Sequence, residues 1–315
     1  SHMGFVSLAI FTHTIEGLCA SILMMLAHGF SSSGLFMSAG VIYNRFHTRT
    51  IKYYKGLGTS TSKEAKEYFT NLNLIDYTWS ENTENAMKLA FDKELADNRK
   101  NWLKAYDKQV IINQKEKKVT FDDFINKDLI HFSNYDTERS IPSMCDGLKP
   151  SQRKVLFSVI KRNLKKGIKV SQLSGYVSEK SCYHHGENSL NECIISMAQD
   201  FIGTNNINLL IPDGQFGTRL QGGSDSASPR YIWTYMSKLT QLIYRPEDYP
   251  LYKYLDDDGT MVEPEFYMPI IPMVLVNGSR GIGTGFSTFI PNHNPLDIVD
   301  NIKNLIKNKP LNKML

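Results

Sequence analysis

The sequence predicts a mixed α+β fold preceded by apolar amino-terminal helices, on three observations. Residues 3 to 43 carry a single formal charge, Glu16. From about residue 50 onward, amphipathic segments with helical spacing alternate with turn-rich loops. Glycines then gather at Gly214, Gly217, Gly222 and Gly223 and again around Ile282, where tight turns and hairpins are expected rather than helices.

With 315 residues the chain has room for about two ordinary domains and a substantial core. A net charge of +4 and a pI near 8.7 permit nucleic-acid binding without demonstrating it, so local clustering has to decide. The four cysteines, Cys19, Cys145, Cys182 and Cys193, lack CxxC spacing and read as reduced thiols rather than as a zinc site or disulfide framework.

Taken in order, the first segment satisfies the length rule for a membrane helix, because Gly17 to Tyr43 holds no formal charge. Arg45, His47 and Arg49 follow as flanking basic residues. Gly29, Gly34, Gly40 and the serines 31 to 33 suit two packed helices joined near His28; a buried soluble helix is the alternative. Next, YYKGLGTSTSKEAKEYF from Tyr53 reads as a strand, a glycine turn at Gly56 and Gly58, and a helix capped by Ser60 to Ser62. Lys55 and the turn amides at a helix start suit a phosphate, although a plain turn leading into a capped helix fits as well. Residues 79 to 118 read as a solvated helical linker.

Pro150 opens a helix whose apolar positions are Val155, Leu156, Val159 and Ile160. Between Gly147 and Val170 lie eight basic residues, among them Lys149, Arg153 and Lys154, and no acidic one. That density fits a DNA-facing helix or a solvated charged one. CYHHGENSL places His184, His185 and Glu187 on a loop. Adjacent histidines rarely chelate one ion, whereas imidazoles donate well to phosphate oxygens. In IPDGQFGTRLQGGSDSASPRYIWTYMS the glycines suggest a wing or hairpin, with Tyr231 at a loop edge and the permanent cation Arg230 beside it. Finally, Glu263 to Pro295 joins an apolar run to a glycine hairpin carrying Ile282, either a turn residue or an apolar wedge for DNA.

Two resemblances attach to these residues. HGFSSSGLFMSAGVIYNRFHTR, His28 to Arg49, is similar to subunit 4 of the mitochondrial NADH:quinone oxidoreductase, which implies a membrane association of residues 3–49 and a chimeric sequence. His28 would be that family's intramembrane polar residue, with a structural or vestigial role rather than one in proton transfer, because a proton path needs several helices. From residue 51 on, KYYKGLGTSTSKEAKEYF, RSIPSMCDGLKPSQRKVLF, YHHGE, QFGTRLQGG with SPRYI, and GIGTG resemble, in the family's order, the eukaryotic-type type IIA DNA topoisomerases.

That second resemblance implies a Toprim carboxy-terminal tail and helical linker over residues 51–120. A winged-helix breakage–reunion domain would follow over 121–250, and the start of a tower domain over 251–315. It implies Tyr231 as the nucleophile, with Arg230 and His185 assisting. Lys55, Lys149, Arg153, Lys154, His184, Gln215, Arg219 and Ile282 become DNA contacts, Ile282 as the intercalating wedge. Ser279 and Arg280 depart from the family's small and acidic pair before that wedge. Double-stranded DNA, Mg²⁺, ATP, a homodimer and a DNA-containing compartment such as the nucleus are implied too. The sequence holds no DxDxD cluster and no ATP-binding module, so no metal ligand is assigned in this chain and the strand-passage cycle is expected to be incomplete. A non-catalytic DNA-binding remnant, or a membrane-protein fragment with a soluble passenger, are the competing expectations.

Overall fold

The computed structural model describes residues 61–70, 75–113 and 117–314. The apolar amino-terminal helices, His28, Cys19, Lys55 and the strand and turn expected before Ser60 lie outside the described residues. Among those described, no helix is long and apolar enough to cross a membrane. The chain divides into two compact units, Ser1–Tyr135 and Asp136–Leu315, and both mix helices with short strands.

In the first unit, α1 (Ser62–Thr70) starts at the expected serines, and β1 (Asp76–Thr78) follows. The segment expected to be one helical linker is α2 (Thr83–Phe91), a single 3₁₀ turn and α3 (Ala96–Lys104). The break falls at Asp92, whose backbone is extended (ψ 129°) while its carboxylate accepts from the Glu94 amide. A short polar side chain that bonds its own following backbone competes with helix continuation. β2 (Lys118–Thr120) then pairs in parallel with β1, and α4 (Phe121–Phe124) runs through a π turn (Ile125–Leu129) into α5 (Ile130–Ser140). Ala86, Ile125 and Leu129 form the small core.

The second unit begins within α5. Pro150 opens α6 (Pro150–Arg162), where its missing N–H costs no helical bond, and Asn163 closes it in the left-handed conformation (φ 49°). Val155, Leu156 and Val159 are fully buried on one face. Removing each from water contributes about 1.5–3 kcal/mol. β3 (Ile168–Lys169) leads directly into α7 (Val170–Lys180), whose core positions Val170, Leu173 and Val177 follow helical spacing. α8 (Glu187–Ala198) repeats the pattern with Leu190, Ile194 and Ala198.

β4 (Leu210–Asp213) and β5 (Trp233–Met236) complete a three-stranded antiparallel sheet in the order β3-β5-β4, with Asp213 and Lys169 on opposite sides of Trp233. A long loop, residues 214–232, joins β4 to β5. α9 (Lys238–Ile243) follows, then the hairpin of β6 (Tyr254–Asp257) and β7 (Thr260–Pro264). The short α10 (Met273–Val276) precedes a second hairpin, β8 (Ser279–Gly283) and β9 (Phe286–Ile290). Last comes α11 (Pro295–Ile306), capped by the Asn294 side chain. One core drawn from all three helices α6 to α8 and the sheet holds this unit together.

Candidate functional site

Tyr231 sits on the last turn before the central strand. Its amide donates to the Ser228 carbonyl (2.9 Å), closing a tight turn, and Val170 and Ser171 at the head of α7 donate to Ile232 and Pro229 on either side. Those bonds fasten the segment to the body. Ile232 is buried in the core, whereas its neighbour Tyr231, on the turn, is 70% exposed. The Arg230 guanidinium lies 5.9 Å from the Tyr231 ring centre, and Arg230 is exposed as well. A phenol and a fixed cation thus share one open edge, where a phosphate could meet both.

The loop between β4 and β5 is held by its glycines and one carboxylate. Gly214 (φ 115°) and Gly217 (φ 100°) adopt backbones that side chains rarely reach, and a Cβ on Gly217 would come within 2.5 Å of the Gly223 Cα. Asp225 accepts from the Thr218 amide and hydroxyl, both at 2.8 Å. Those bonds, the backbone one first, hold its carboxyl below the usual range. Arg219 and Gln215 project from this loop into solvent, Gln215 also accepting from the Gly217 amide (3.3 Å).

His184 and His185 precede α8, beyond Cys182, whose positive φ (49°) turns the chain there. Both are exposed. His184 Nε2 stands 3.3 Å from Asp257 Oδ2 on β6, and His185 meets the edge of the Tyr183 ring at 5.4 Å between centres. Asp257 is not legible as a partner in the sequence, because 73 residues separate the pair. Lys149 caps α6, its amide donating to Gln152 Oε1 (2.9 Å), and stays half-buried. Ile282 is 72% exposed on the outer face of the β8–β9 hairpin.

Two expected DNA contacts are corrected. The Arg153 side chain is 7% exposed and grips the fully buried Asp146 through Nε (2.8 Å) and Nη2 (3.1 Å), with a third bond to the Leu148 carbonyl (3.0 Å). Lys154, 13% exposed, donates to the Ser181 carbonyl (2.6 Å) and to Glu263 (2.8 Å). Both cations are consumed by buried carboxylates on the interior side of α6 and cannot reach a phosphate. Burial raises the Glu263 pKa, and Lys154 opposes the shift.

No group of three His, Cys, Asp or Glu among the described residues is placed to hold a metal ion. Asp256 is spent on the turn amide of Gly259 (2.6 Å) and Asp257 faces His184, so the acidic run at the β6–β7 turn does not converge.

Comparison with known proteins agrees over most of the chain. Residues 139–315 match the family of DNA gyrase/topoisomerase IV A subunits. Residues 42–137 match the C-terminal associated domain of TOPRIM. Residues 1–63 match NADH:quinone oxidoreductase/Mrp antiporter, TM. DNA topoisomerase 2 of Arabidopsis thaliana is 56% identical over 264 residues, covering 83% of this chain and 18% of the relative. The mitochondrial DNA topoisomerase 2 of Dictyostelium discoideum is 53% identical over 268 residues, 84% of this chain and 21% of that protein. DNA topoisomerase 2 of Saccharomyces cerevisiae is 52% identical over 266 residues, 84% and 19% respectively. The crystal structure of the Plasmodium falciparum topoisomerase II DNA-binding, cleavage and re-ligation domain superposes with a TM-score of 0.70 at 49% identity, covering 83% of this chain and 36% of that one. The chain therefore spans about a fifth of the length of the curated relatives it matches.

Proposed function

Since the chain belongs to the type II DNA topoisomerase family that includes the A subunits of DNA gyrase and topoisomerase IV, we propose that it binds duplex DNA and cleaves it reversibly through Tyr231. The observation that carries this reading is the exposed Tyr231 phenol with Arg230 at its ring, fixed at the edge of the central strand. We read α6, α7, α8 and the β3-β5-β4 sheet as a winged helix, with residues 214–232 as its wing. Residues up to 120 would then be a Toprim tail with its linker, and those from 251 the start of a tower.

In the proposed step the Tyr231 oxygen attacks a backbone phosphorus. The Tyr Oη–P bond forms, the P–O3′ bond breaks, the phenol proton is lost and the released 3′ oxygen takes one up. One phosphodiester is exchanged for another, so attack by the 3′-hydroxyl restores the strand and the phenol. Arg230 would hold a non-bridging oxygen, and His185 would donate to the charge developing at phosphorus. His184, set by Asp257, Lys149, Gln215 and Arg219 would contact the backbone, and Ile282 would wedge a base step. Mg²⁺ and ATP are the family's expected cofactors. The described residues do not assemble a site for the metal.

The test is covalent trapping on supercoiled plasmid with Mg²⁺ present, beside Tyr231→Phe. The expected result is a protein–DNA adduct in the parent chain and none above background in the variant. An adduct of equal yield in Tyr231→Phe overturns the assignment. Salt-sensitive duplex binding without any adduct selects the non-catalytic DNA-binding reading instead.

By the same family argument the working form would be a homodimer in a DNA-containing compartment, nuclear or, as the name of one relative indicates for that protein, mitochondrial. The match of residues 1–63 supports reading the amino-terminal segment as a separate, membrane-type piece joined to the topoisomerase part. Recovery of the chain in a carbonate-washed membrane fraction tests that, and recovery wholly in the supernatant rejects it.

A further inference from the structure

The β8–β9 hairpin has two unlike faces. Gly281 and Gly283 lie against residues 137–142 so closely that a Cβ on Gly283 would meet the Thr137 Cα at 2.9 Å. Strand alternation then sends Arg280 and Ile282 to the opposite face, where Phe289 pairs across the hairpin with Arg280, and Ser287 with Ile282. All four are exposed, Phe289 to 75%. A large aromatic ring this bare, on a strand whose backbone is otherwise paired, calls for a partner.

The charge around it says which. Arg280 and Phe289 line a depression of about 380 Å³ together with Lys149 and Gln152 at the start of α6. Among the described residues, the only carboxylate lining it is Asp146, fully buried and engaged by Arg153 and by the Leu148 and Tyr267 amides. Among the described residues Arg280 makes no ion pair, so Lys149 and Arg280 leave this surface cationic. A polyanion with apolar sugar edges fits a cation beside a bare ring and an aliphatic wedge.

We propose that Arg280 and Phe289 are a second DNA-reading pair beside Ile282: Arg280 neutralises a phosphate flanking the wedged step, and Phe289 covers the sugar exposed when that step opens. This rests on the DNA-binding reading above, and it makes the hairpin a three-residue element rather than a single wedge. The two added residues divide the work, one setting the salt dependence and the other the bend.

The experiment measures duplex affinity of the full chain against salt concentration, and the end-to-end distance of a doubly labelled duplex by energy transfer. Arg280→Gln is expected to lower the slope of log K against log salt by about 0.9, the share of one phosphate contact. Arg280→Lys should keep the slope, and Arg245→Gln, at an exposed site paired with Glu247, should leave it unchanged. Phe289→Ser is expected to reduce the bend while keeping the parent slope. Circular dichroism checks that these exposed substitutions leave the fold intact. A parent slope in Arg280→Gln overturns the first half, and a parent bend in Phe289→Ser the second. A parent chain that binds no duplex at all overturns the DNA-binding reading itself, and this inference with it.

Discussion

At the scale of single residues, the sequence distinguishes side chains by their neighbours better than by their own type. Tyr231 and Ile282 can be singled out in the sequence by what flanks them, Arg230 on a glycine-rich loop edge in one case and Gly281 with Gly283 in the other. Arg153 and Lys154 cannot be separated from Lys149 this way. A run of cations shows its density but not which of them finds a buried carboxylate, and Glu263 lies 109 residues from Lys154. The Arg153–Asp146 pair therefore has a stability role that can be measured. Arg153→Ala leaves Asp146 buried without its counter-ion, held only by the Leu148 and Tyr267 amides, and breaking such a pair costs about 3–5 kcal/mol. Urea titration should show that loss, while the salt slope of duplex binding by the remaining folded protein stays at the parent value. A lowered slope with unchanged stability would restore Arg153 to the DNA face.

At the scale of elements, glycine spacing announces both hairpin regions but says nothing of what locks them. The loop carrying Arg219 is closed by Asp225 on Thr218, a contact seven residues long that no motif predicts. The stretch before α5 reads in sequence as one linker for a related reason: helical periodicity continues across Asp92, and only its side chain's competing bond to the Glu94 amide ends α2. The Asp225 lock should respond to pH. Its carboxyl is held low in the fold chiefly by the Thr218 amide, so the ionised, locked form is complete above the ordinary aspartate range. It persists somewhat below that range and is lost as pH falls through the depressed value. Amide exchange at Thr218, corrected for the intrinsic rate, should therefore quicken on acidification in the parent chain. In Asp225→Ala it should be fast throughout, with a lower yield of covalent adduct at neutral pH. Equal protection in the two proteins would remove Asp225 from the loop's support.

For the whole molecule, the telling fact is that among the described residues the two hydrophobic cores share no residue. The first gathers Ala86, Ile125 and Leu129, with Trp102 packed against them and its Nε1–H donated to Asn126 (3.0 Å). The second draws on residues from Leu148 onward and, among the described residues, gathers many more apolar side chains. The division at Tyr135 and Asp136 falls where the two family matches meet, residues 42–137 and 139–315. The sequence reading sets its boundary earlier, after residue 120, where mixed-charge helices give way to the motif-rich part. Separate cores of unequal size predict separate unfolding transitions, since burial sets both stability and denaturant sensitivity. The three tryptophans allow a direct reading: Trp79 and Trp102 lie in the first unit, Trp233 in the second. In urea, fluorescence of Trp233→Phe should report a transition at lower denaturant than that of the Trp79→Phe, Trp102→Phe double variant. A single coincident midpoint would mean that the units unfold as one cooperative body, and the proposed nucleophile, Tyr231, would then depend on the amino-terminal unit for its stability.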